Sequence, residues 1–553
     1  MAVQVVLFGE CSGAHYLANP QAHRNFIKSS AVLRLGHYLR RRGNTVLQVH
    51  HFSSFSIDEL RELIYRHVDA TTKMVGISTT FISPVKIKSK PEDSLAPFSE
   101  SEAERIEFII QTVKSISPDI IVTFGGAHIT KLRFERPMDI ARWRFDRFRP
   151  YIDYLVQEQG EVAMQMLING QAPEYEVLNG FKLIDGGLLP VADFSENANA
   201  PAPVIDCINP GESLSVELAH GCIFNCEFCG HGRVLGKKVR EFSRSYESLR
   251  KEITYNYEMF GSTMYMFLDD MVNDDPNKVD WLIQIKAETG IPVEWVSYAR
   301  LEVIKTEEQA QKLIDSGCRG IYFGIESMKT SVGPLIGKVT DREKIVKSLR
   351  LVRSVFKDQA IIKVSMIAGL PTETKEEFTE SIDWMMRTEE GQYLIDRVSI
   401  SPLAVYREDK GSLTASRNYP FAQYVLDTEQ AANYSAAPNW TSPWGTRAEF
   451  EVLVRGLYHG VNPLFHQAHP FYFPMYHNFG IKLEDYIRTY RDRSFTFTPN
   501  NHEIQARCAV LVGEYKQKLL NISPEQMDLY HNKFWEHFPV IIEKRVIPIK
   551  NLM

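Results

Sequence analysis

Short apolar runs rich in β-branched residues alternate with helical stretches along the first 170 residues. The apolar runs are Val3–Phe8, Thr45–His50, Met74–Ser78, Ile120–Phe124 and Tyr154–Gln157. The stretches between them include Ala31–Arg41, Ile57–His67 and Ala103–Ile116. Strands that alternate with helices predict a parallel sheet with helices on its faces. We therefore expect an α/β fold, with a doubly wound sheet of the flavodoxin or Rossmann type over residues 1–170.

The same alternation resumes at Ser213. Six further strand candidates are Leu214–Ala219, Met264–Leu268, Val293–Tyr298, Gly320–Ile325, Ile361–Ile367 and Arg397–Ile400. Helical stretches such as Ser245–Phe260, Asn277–Thr289, Glu307–Ser316, Asp341–Phe356 and Lys375–Thr388 separate them. A complete TIM barrel has eight such units and places its chemistry at the carboxyl ends of the strands. A partial, TIM-like (β/α)6 barrel is therefore expected over residues 213–403.

Two segments lack this alternation. Residues 171–212 include the polar, proline-containing run 196–203, which is typical of a linker. Residues 404–553 are aromatic and rich in histidine, with helices expected at Glu503–Leu520 and Pro524–His537. We expect this last part to form an α-rich carboxyl-terminal cap that serves as the substrate domain.

Composition and charge exclude several classes of protein. The 553 residues exceed one ordinary hydrophobic core, so three structural units are expected. A net charge of −6 argues against a chain built mainly to bind nucleic acid. No run of about 18 apolar residues predicts a membrane span, and the first residues lack the order of a signal peptide. We therefore expect a cytoplasmic protein without a membrane partner.

Three of the seven cysteines lie close together in the pattern Cys222-x3-Cys226-x2-Cys229. Seven scattered cysteines do not make a disulfide framework in a chain of this length. Three neighbouring thiolates suit an iron–sulfur cluster or a zinc ion. Zinc would take a fourth ligand, for which His220 and His231 are available, whereas a four-iron cluster with three cysteines keeps one iron open to another molecule.

The cysteine loop resembles the signature of the radical S-adenosylmethionine (SAM) enzymes, in which an aromatic residue such as Phe228 precedes the third cysteine. Other segments agree with this resemblance: Leu268-Asp269-Asp270, Gly324-Ile-Glu326-Ser327 and Gly369-Leu-Pro-Thr-Glu-Thr374. The resemblance implies a [4Fe–4S] cluster on the three cysteines, with SAM at its open iron. It implies SAM contacts from Phe228, Arg300, Glu326, Ser365, Gly369 and Pro371. For Arg300, a salt bridge at the barrel rim is the alternative.

A doubly wound domain ahead of such a barrel resembles the cobalamin-binding (B12) subgroup of this superfamily. The resembling segments are Gly125-Gly126-Ala127-His128 and Asp153 to Glu161. In a doubly wound sheet, ligands bind outside the carboxyl ends of the strands, where short residues let a large ligand approach. Cobalamin contacts are therefore expected at Gly9, Ser12, Gly13, Ser78, Thr79, Thr80, Gly125, Gly126, Gly160 and Glu161.

Two alternatives to this cobalamin site stay open. The glycines could serve only the strand-end turns. The loop from Gly9 to Tyr16 also lacks the Asp-x-His-x-x-Gly pattern that places a histidine on cobalt in another type of cobalamin enzyme. A domain that keeps the fold without the ligand is therefore the second alternative, and Cys11 and His15 in this loop are more simply a small buried thiol and a polar loop residue.

The resemblance implies an enzyme that cleaves SAM to a 5′-deoxyadenosyl radical. Within the cobalamin subgroup it implies methyl transfer to an unactivated carbon or to phosphorus, with an external flavodoxin- or ferredoxin-like one-electron reductant as partner. A rearrangement, cyclisation or oxidation, with or without cobalamin, is the alternative reaction. A non-catalytic cobalamin- or zinc-binding regulatory protein is the alternative class. Cys207, Cys318 and Cys508 have no partners by spacing, which argues against a methylthiotransferase with a second cluster.

Two other groups of residues have simpler explanations. Between Lys131 and Arg149, basic residues interleave with aromatic ones, a composition found at nucleic-acid contacts. A solvated helix whose aromatic residues pack on the sheet is the favoured explanation, so no nucleic-acid partner is expected. The late histidines fit no tight metal motif, and we expect hydrogen-bonded roles for His459, His466, His469 and His477.

Overall fold

The structure is a computed structural model of the chain, and its described residues are 3–10, 27–80, 98–126, 129, 148–178, 180–190, 201–202, 204–224, 226–229, 242–389, 392–403, 405, 423–426, 440–459, 473–478, 480, 482, 484–487, 502–523 and 526–527. Several predicted positions lie outside these residues: Cys11, Ser12, Gly13, His15, His231, His466, His469 and most of Pro524–His537. No helix in the described part of the chain is long and apolar enough to cross a membrane.

The first sheet has seven strands. Their bounds are β1 Val5–Gly9, β2 Val46–His50, β3 Met74–Ser78, β4 Ile121–Gly125, β5 Tyr154–Gln157, β6 Glu176–Leu178 and β7 Phe181–Asp185. Their order across the sheet is β2-β1-β3-β4-β5-β7-β6, and every neighbouring pair is parallel except the hairpin of β6 and β7. Strand order reverses next to β1, which pairs with β2 on one side and β3 on the other. The predicted doubly wound parallel sheet is confirmed.

Four helices accompany this sheet: α1 Ser30–Arg40, α2 Ile57–His67, α3 Phe98–Ile116 and α4 Glu161–Ile168. α2 begins at a capping box, because the Ser56 side chain accepts from the backbone N–H of Glu59 and the Glu59 side chain accepts from that of Ser56. Leu60, Leu63 and Ile64 form its buried face, at the spacing of three and four residues that keeps side chains on one side of a helix.

Residues 171–212 differ from the linker that their composition predicts. Their first part forms β6 and β7, and β7 extends the sheet beside β5. Further along, Asp206 is buried and accepts two hydrogen bonds from the Arg40 guanidinium, at 2.8 and 2.9 Å. The composition misleads because the proline-rich run 196–203 occupies only part of the segment, while the buried residues Phe181 and Leu183 give β7 a core-facing side.

The second half of the chain contributes strands β8 to β20. In chain order they are Leu214–Val216, Ala219–His220, Phe242–Ser243, Met264–Phe267, Glu294–Ala299, Cys318–Glu326, Ile361–Ala368, Thr388–Glu389, Gln392–Tyr393, Arg397–Pro402, Val425–Leu426, Trp440–Ser442 and Gly445–Thr446. Six of them form one parallel sheet in the order β17-β14-β13-β12-β11-β8. Each strand lies beside the next strand of this sheet along the chain, as the predicted partial barrel requires.

Nine further helices follow in chain order. α5 to α13 are Tyr246–Phe260, Pro276–Thr289, Glu307–Asp315, Gly333–Ile336, Arg342–Phe356, Lys375–Met385, Arg447–His459, Phe473–Asn478 and His502–Leu520, counted over the described residues. α7 and α10 both begin at capping boxes, on Thr306 with Gln309 and on Thr374 with Glu377. These caps fix where the chain turns from a strand end into the following helix.

The chain divides into two compact units that do not follow chain order. The first comprises Met1–Glu212, Glu247–Gly261 and Pro499–Lys544, and the second comprises Ser213–Tyr246, Ser262–Thr498 and Arg545–Met553. α13 therefore belongs to the first unit, although the sequence prediction assigns it to the cap. There the buried Tyr515 hydroxyl accepts from the backbone N–H of His50 at 2.7 Å, and Lys516 forms an ion pair with Glu59, also at 2.7 Å.

Candidate functional site

The three clustered cysteines lie on the loop that follows β9, beside the first strand of the second sheet. Cys222, Cys226 and Cys229 are each half-buried. The backbone N–H of Cys229 donates to the carbonyl of Cys226 at 3.0 Å, and the N–H of Glu227 donates to the carbonyl of Ile336 at 3.0 Å. The loop is therefore held both by its own turn and by the last residue of α8.

Two opposing effects act on the pKa of these thiols. Burial raises the pKa of Cys222 to about 11 and also raises the pKa of Cys226. At Cys226 the neighbouring cations Lys338 and Arg300 oppose the effect of burial. A bound metal deprotonates a coordinating thiol outright. Three half-buried thiols on one loop therefore fit a thiolate-bound cluster, in which each would bind a different iron.

His220, considered from sequence as a zinc ligand, has its Nδ1 2.7 Å from Oε1 of Glu217. Within the described ranges, no three His, Cys, Asp or Glu side chains converge closely enough to bind one metal ion. A four-iron cluster does not need such convergence, because its cysteines bind separate irons.

A buried ion network fixes the end of β11 next to the cysteine loop. Lys278 Nζ lies 2.8 Å from Oδ1 of Asp269 and 2.9 Å from Oδ1 of Asp274, with all three side chains at most 2% exposed. The other oxygen of Asp269 accepts from the backbone N–H of Leu218 at 2.8 Å. Asp269 therefore supports the entry to the cysteine loop, while the half-buried Asp270 follows it directly.

Glu326 ends β13 in a left-handed backbone conformation, with φ +69°. Its carboxylate is held through both oxygens: Lys338 Nζ is 3.2 Å from Oε1, and the Ser365 hydroxyl donates to Oε2 at 3.0 Å. A Cβ at Gly324 would stand 2.4 Å from Glu326 Oε1 and 2.8 Å from Lys338 Nζ, so glycine leaves room for this ion pair. Two residues predicted to contact SAM, Glu326 and Ser365, are thus in direct contact with each other.

Arg300 follows β12 and forms an ion pair with Glu302, with 2.5 Å between Nη2 and Oε1. Its guanidinium also lies over the ring of Phe224 in the cysteine loop, 3.9 Å from the ring centroid. Asn273 holds the Arg300 backbone through two hydrogen bonds of 2.9 Å, one to the carbonyl and one from the N–H. The contact that the structure shows is therefore the rim salt bridge, which was the alternative to a SAM contact.

Aromatic side chains cover the loop after β14. Gly369 has φ +89°, and its carbonyl accepts from the Tyr424 hydroxyl at 2.8 Å. A Cβ at Gly369 would stand 2.6 Å from the Trp440 ring, so only glycine permits this approach. The Tyr424 and Trp440 rings pack edge to face, with 4.8 Å between their centroids. Residues of the carboxyl-terminal part thereby close one side of the loop that carries Gly369 and the buried Pro371.

The first sheet presents short side chains at the carboxyl ends of β3 and β4. A Cβ at Gly126, which has φ +98°, would stand 2.6 Å from Oγ1 of Thr80. Thr79 contacts the carbonyl of Gly125 twice, through its N–H at 2.7 Å and its hydroxyl at 2.8 Å. Ser78 Oγ lies 3.4 Å from Thr80 Oγ1. Pairing of β3 with β4 thus brings five of the predicted cobalamin contacts together.

Other positions predicted to contact cobalamin have structural partners. A Cβ at Gly9 would stand 2.4 Å from Cγ2 of Val32, so glycine lets α1 pack against the end of β1. Glu161 forms an ion pair with Arg34 at 2.7 Å, and Gly160 is the N-cap residue of α4. For Gly9, local packing accounts for the glycine without a ligand.

Of the two groups with simpler explanations, residues 131–147, His466 and His469 lie outside the described part of the chain, and Phe148 and His477 lie within it. The Phe148 ring is buried against the first sheet, with its centroid 6.1 Å from that of Phe124. His477 Nδ1 lies 3.1 Å from the hydroxyl oxygen of Ser213, and burial lowers the pKa of His477. A buried, hydrogen-bonded imidazole is a structural element of the second unit.

Sequence reasoning missed four residues of the second-sheet site: Lys278, Asn273, Lys338 and Tyr424. Three of them act only through contacts between distant segments, which leave no local pattern. Lys278 does carry a local signal, because its partner Asp274 stands only four residues before it, just ahead of Asp275, the N-cap residue of α6.

The fold and the three-cysteine loop together define an α/β protein of the partial-barrel class with a candidate iron–sulfur site. Residues 216–385, less than half of the chain, match the family model described as the Radical SAM superfamily. The [4Fe–4S] cluster and SAM are therefore the cofactors of this domain.

Two solved structures share the fold over most of the chain. The radical SAM methyltransferase TsrM from Kitasatospora setae, with cobalamin and a [4Fe–4S] cluster bound, has a TM-score of 0.53 at 15% identity, covering 78% of this chain and 82% of that chain. The cobalamin-dependent SAM radical enzyme OxsB, with aqua-cobalamin and SAM bound, has a TM-score of 0.50 at 16% identity, covering 70% and 52%. At these identities the likeness shows the fold alone.

A relative by sequence is an uncharacterized methyltransferase of Pyrococcus horikoshii, 26% identical over 289 residues that cover 50% of this chain and 59% of that protein. The chain spans less than two thirds of the length of the curated relatives that it matches.

Proposed function

We propose that this chain is a cobalamin-dependent radical SAM methyltransferase that methylates an unactivated carbon or a phosphorus centre. The observation that carries the proposal is that one chain contains both features. A three-cysteine loop lies beside one parallel sheet, and another parallel sheet ends in an edge of small residues. The shared fold with TsrM and OxsB supports the cofactor assignment, and the name of the Pyrococcus relative supports the reaction type.

The cysteine loop provides the ligands for the cluster. Cys222, Cys226 and Cys229 would bind it, and the bound cluster supplies the electron that cleaves SAM. Lys338 and Arg300 place positive charge near Cys226, which favours the thiolate and compensates the negative charge of the loop.

Residues at the ends of β13 and β14 would bind and enclose SAM. The Glu326 carboxylate and the Ser365 hydroxyl offer polar contacts to its charged methionine part. Tyr424 and Trp440 cover the backbone at Gly369 and keep water from that side of the loop. Exclusion of water protects reactive intermediates from side reactions.

For cobalamin, we propose the edge formed by Ser78, Thr79, Thr80, Gly125 and Gly126. Short hydroxyl side chains and glycines let a large, flat ligand approach the backbone closely. When bound, cobalamin would supply the methyl group. Because the loop from Gly9 to Tyr16 lacks the Asp-x-His-x-x-Gly pattern, we propose that no histidine of this loop ligates the cobalt.

Radical SAM enzymes need an external one-electron reductant. We propose that a flavodoxin- or ferredoxin-like protein supplies the electron.

The test is metal analysis of the full chain, purified without oxygen from cells supplied with cobalamin. The same protein is then incubated with SAM carrying an isotope-labelled methyl group and a chemical reductant. Mass spectrometry measures 5′-deoxyadenosine and labelled methylcobalamin, so the experiment does not require a known substrate.

Four irons and one cobalt per chain, with label on cobalamin, are the expected result. Four irons without cobalt would overturn the methyl-transfer proposal and favour a rearrangement, cyclisation or oxidation. Zinc in place of iron would overturn the radical mechanism as a whole.

A further inference from the structure

A buried hydrogen bond joins two strand-end loops of the second sheet. Ser327 follows β13, and Glu373 lies in the turn between β14 and α10. The Ser327 hydroxyl donates to Oε1 of Glu373 at 2.7 Å, and both side chains are fully buried. The bond therefore ties together two loops that lie 46 residues apart along the chain.

Both loops contain residues in the left-handed region next to this bond. Glu326 has φ +69° and immediately precedes Ser327, while Thr372 has φ +67° and immediately precedes Glu373. For residues other than glycine this conformation is unfavourable. It persists only where surrounding contacts fix it, and the Ser327–Glu373 bond is such a contact at both positions.

The Ser327 oxygen has a second contact, because it accepts from the backbone N–H of Lys329 at 3.0 Å. The turn after Glu326 is therefore fixed on both sides of Ser327. The Glu326 carboxylate is held separately by Lys338 and Ser365. Backbone and side chain of Glu326 thus depend on different partners, and Glu373 affects the backbone only.

The surroundings of Glu373 disfavour the charged form of its carboxyl group. Burial raises its pKa to about 7, while the Ser327 hydrogen bond and the charge of Lys329 oppose the effect of burial and the charge of Glu377 adds to it. Tyr424 also faces this group. Within the described part of the chain, Oε2 of Glu373 has no hydrogen-bond partner. Either protonation state still accepts the Ser327 hydrogen bond, so an uncharged acceptor of the same shape meets the same need.

We propose that Glu373 is a positioning residue, which acts through Ser327 to hold Glu326 in the left-handed conformation that presents its carboxylate to SAM. The inference rests on the proposed function only in placing SAM at Glu326. It assigns a purpose to a buried carboxyl group that makes no contact with the cysteine loop in the described residues.

The test measures SAM binding by equilibrium dialysis on the cluster-loaded full chain. Glu373→Leu keeps the volume and removes the acceptor, and Ser327→Ala removes the donor. Each is expected to weaken SAM binding about tenfold, the effect of losing one hydrogen bond that orders a charged ligand contact. Glu373→Gln keeps an acceptor for Ser327 and is expected to bind SAM within about twofold of the unchanged chain.

Two controls separate positioning from loss of structure. Glu376→Leu alters an exposed carboxylate three residues along, in the first turn of α10, and leaves SAM binding unchanged. The double variant of Glu373→Leu with Ser327→Ala is expected to be no weaker than either single variant, because both remove the same bond. Iron per chain is measured for each variant and should remain that of the unchanged chain.

Independent, additive losses in the double variant would overturn the proposal, and so would a Glu373→Gln variant as weak as Glu373→Leu. If Glu373→Leu does not fold, the comparison of Glu373→Gln with Ser327→Ala decides alone. A chain that binds SAM but carries no cobalt would overturn the proposed methyl transfer and leave this inference standing. A chain that binds no SAM would overturn both.

Discussion

The two parallel sheets end in different chemistry at their carboxyl edges. The first sheet carries glycines and hydroxyl residues, and its charged neighbours are joined in ion pairs such as Lys28–Glu212 and Arg40–Asp206. The second sheet carries three thiols and the buried carboxyl groups of Glu326 and Glu373. Strand ends of the same architecture therefore carry short side chains and paired charges in one unit, and thiols and buried carboxyl groups in the other.

The comparison shows that a glycine at a strand end is weaker evidence for a ligand site than a charged residue whose backbone is held in the left-handed region. At Gly9 the missing side chain is explained by Val32 of α1. At Glu326 a residue with a full side chain adopts φ +69°, and such strain concentrates at functional sites.

The largest expected effect is the loss of iron when a cysteine of the loop is substituted, compared with a buried cysteine in a strand of the same unit. Cys226→Ala removes one of the three thiolates, and we expect iron per chain to fall close to zero and 5′-deoxyadenosine to disappear, because two cysteines do not hold the cluster. Iron analysis and mass spectrometry after anaerobic purification measure both.

Cys318→Ala is the matched control. Cys318 is fully buried in β13, where burial raises the pKa of its thiol to about 12, and it is not part of the cysteine loop. This variant should keep its iron. Equal loss of iron in both variants would contradict the assignment of the cysteine loop.

The next prediction compares how much the free energy of unfolding falls when a buried ion pair is broken in each unit. Lys278→Met leaves Asp269 and Asp274 without their shared cation, and Arg40→Met leaves Asp206 without its partner. Breaking one buried pair typically costs about 3–5 kcal/mol, because the remaining charge is stranded away from water. Urea unfolding gives the free energy of each variant.

Lys312→Met is the control for this pair of changes. Its partner Asp280 is half exposed, and exposed pairs contribute little. We expect no measurable change in unfolding. A Lys278→Met chain that is as stable as Lys312→Met would mean that the network next to the cysteine loop does not support the fold.

Sequence predicted most of the fold because apolar periodicity is a local property. β3 and β5 match their predicted bounds, and α2 does so because its capping box is written in adjacent residues. The hairpin of β6 and β7 was missed, since a proline-rich run nearby dominated the composition. The place of α13 was also missed, because its contacts with His50 and Glu59 join segments more than 400 residues apart, as the separations of 465 and 457 show.

The candidate site was predictable to the extent that motifs carry it. The cysteine loop was singled out by its spacing, and Glu326 by the resemblance of its segment to the family pattern. Lys338 and Ser327 were not given roles, because each acts through a contact with one residue that lies elsewhere in the sequence. The partner of Arg300 is Glu302, only two residues away. The sequence alone therefore suggested a rim salt bridge as one alternative, but it could not decide between that salt bridge and a SAM contact.

A smaller effect is the opposite pH dependence of the stability that one buried group contributes to each unit. The groups are His67 in the first unit and Glu373 in the second. Burial lowers the pKa of His67 to about 4, so stability is lost as pH falls below the unfolded value near 6.5. Burial raises the pKa of Glu373 to about 7, so its contribution is present below the unfolded value near 4.5 and is lost as pH rises through 7. Between pH 8 and pH 5 we expect the contribution of His67 to fall by about 2 kcal/mol and that of Glu373 to rise by a similar amount.

Urea unfolding at both pH values, read for each unit by a short hydrogen-exchange pulse at one fixed pH, measures this difference. His67→Gln should flatten the response of the first unit, and Glu373→Gln that of the second. A Glu373→Gln chain whose second unit responds to pH as the unchanged chain does would contradict the expectation, and so would an unchanged response of the first unit in His67→Gln.

The smallest effect tests what the glycines of the first edge are for. A Cβ at Gly9 would stand 2.4 Å from Val32 Cγ2, so Gly9→Ala forces α1 outward and is expected to destabilise the first unit by about 1 kcal/mol. Gly43→Ala is the comparison, because Gly43 has φ +84° and open space around it, so that only backbone strain is added. If Gly9 serves packing, the folded Gly9→Ala chain retains the cobalt content of the unchanged chain, measured by metal analysis. Loss of cobalt without loss of stability would instead place Gly9 against the ligand, and the first edge would then resemble the second in being built for binding.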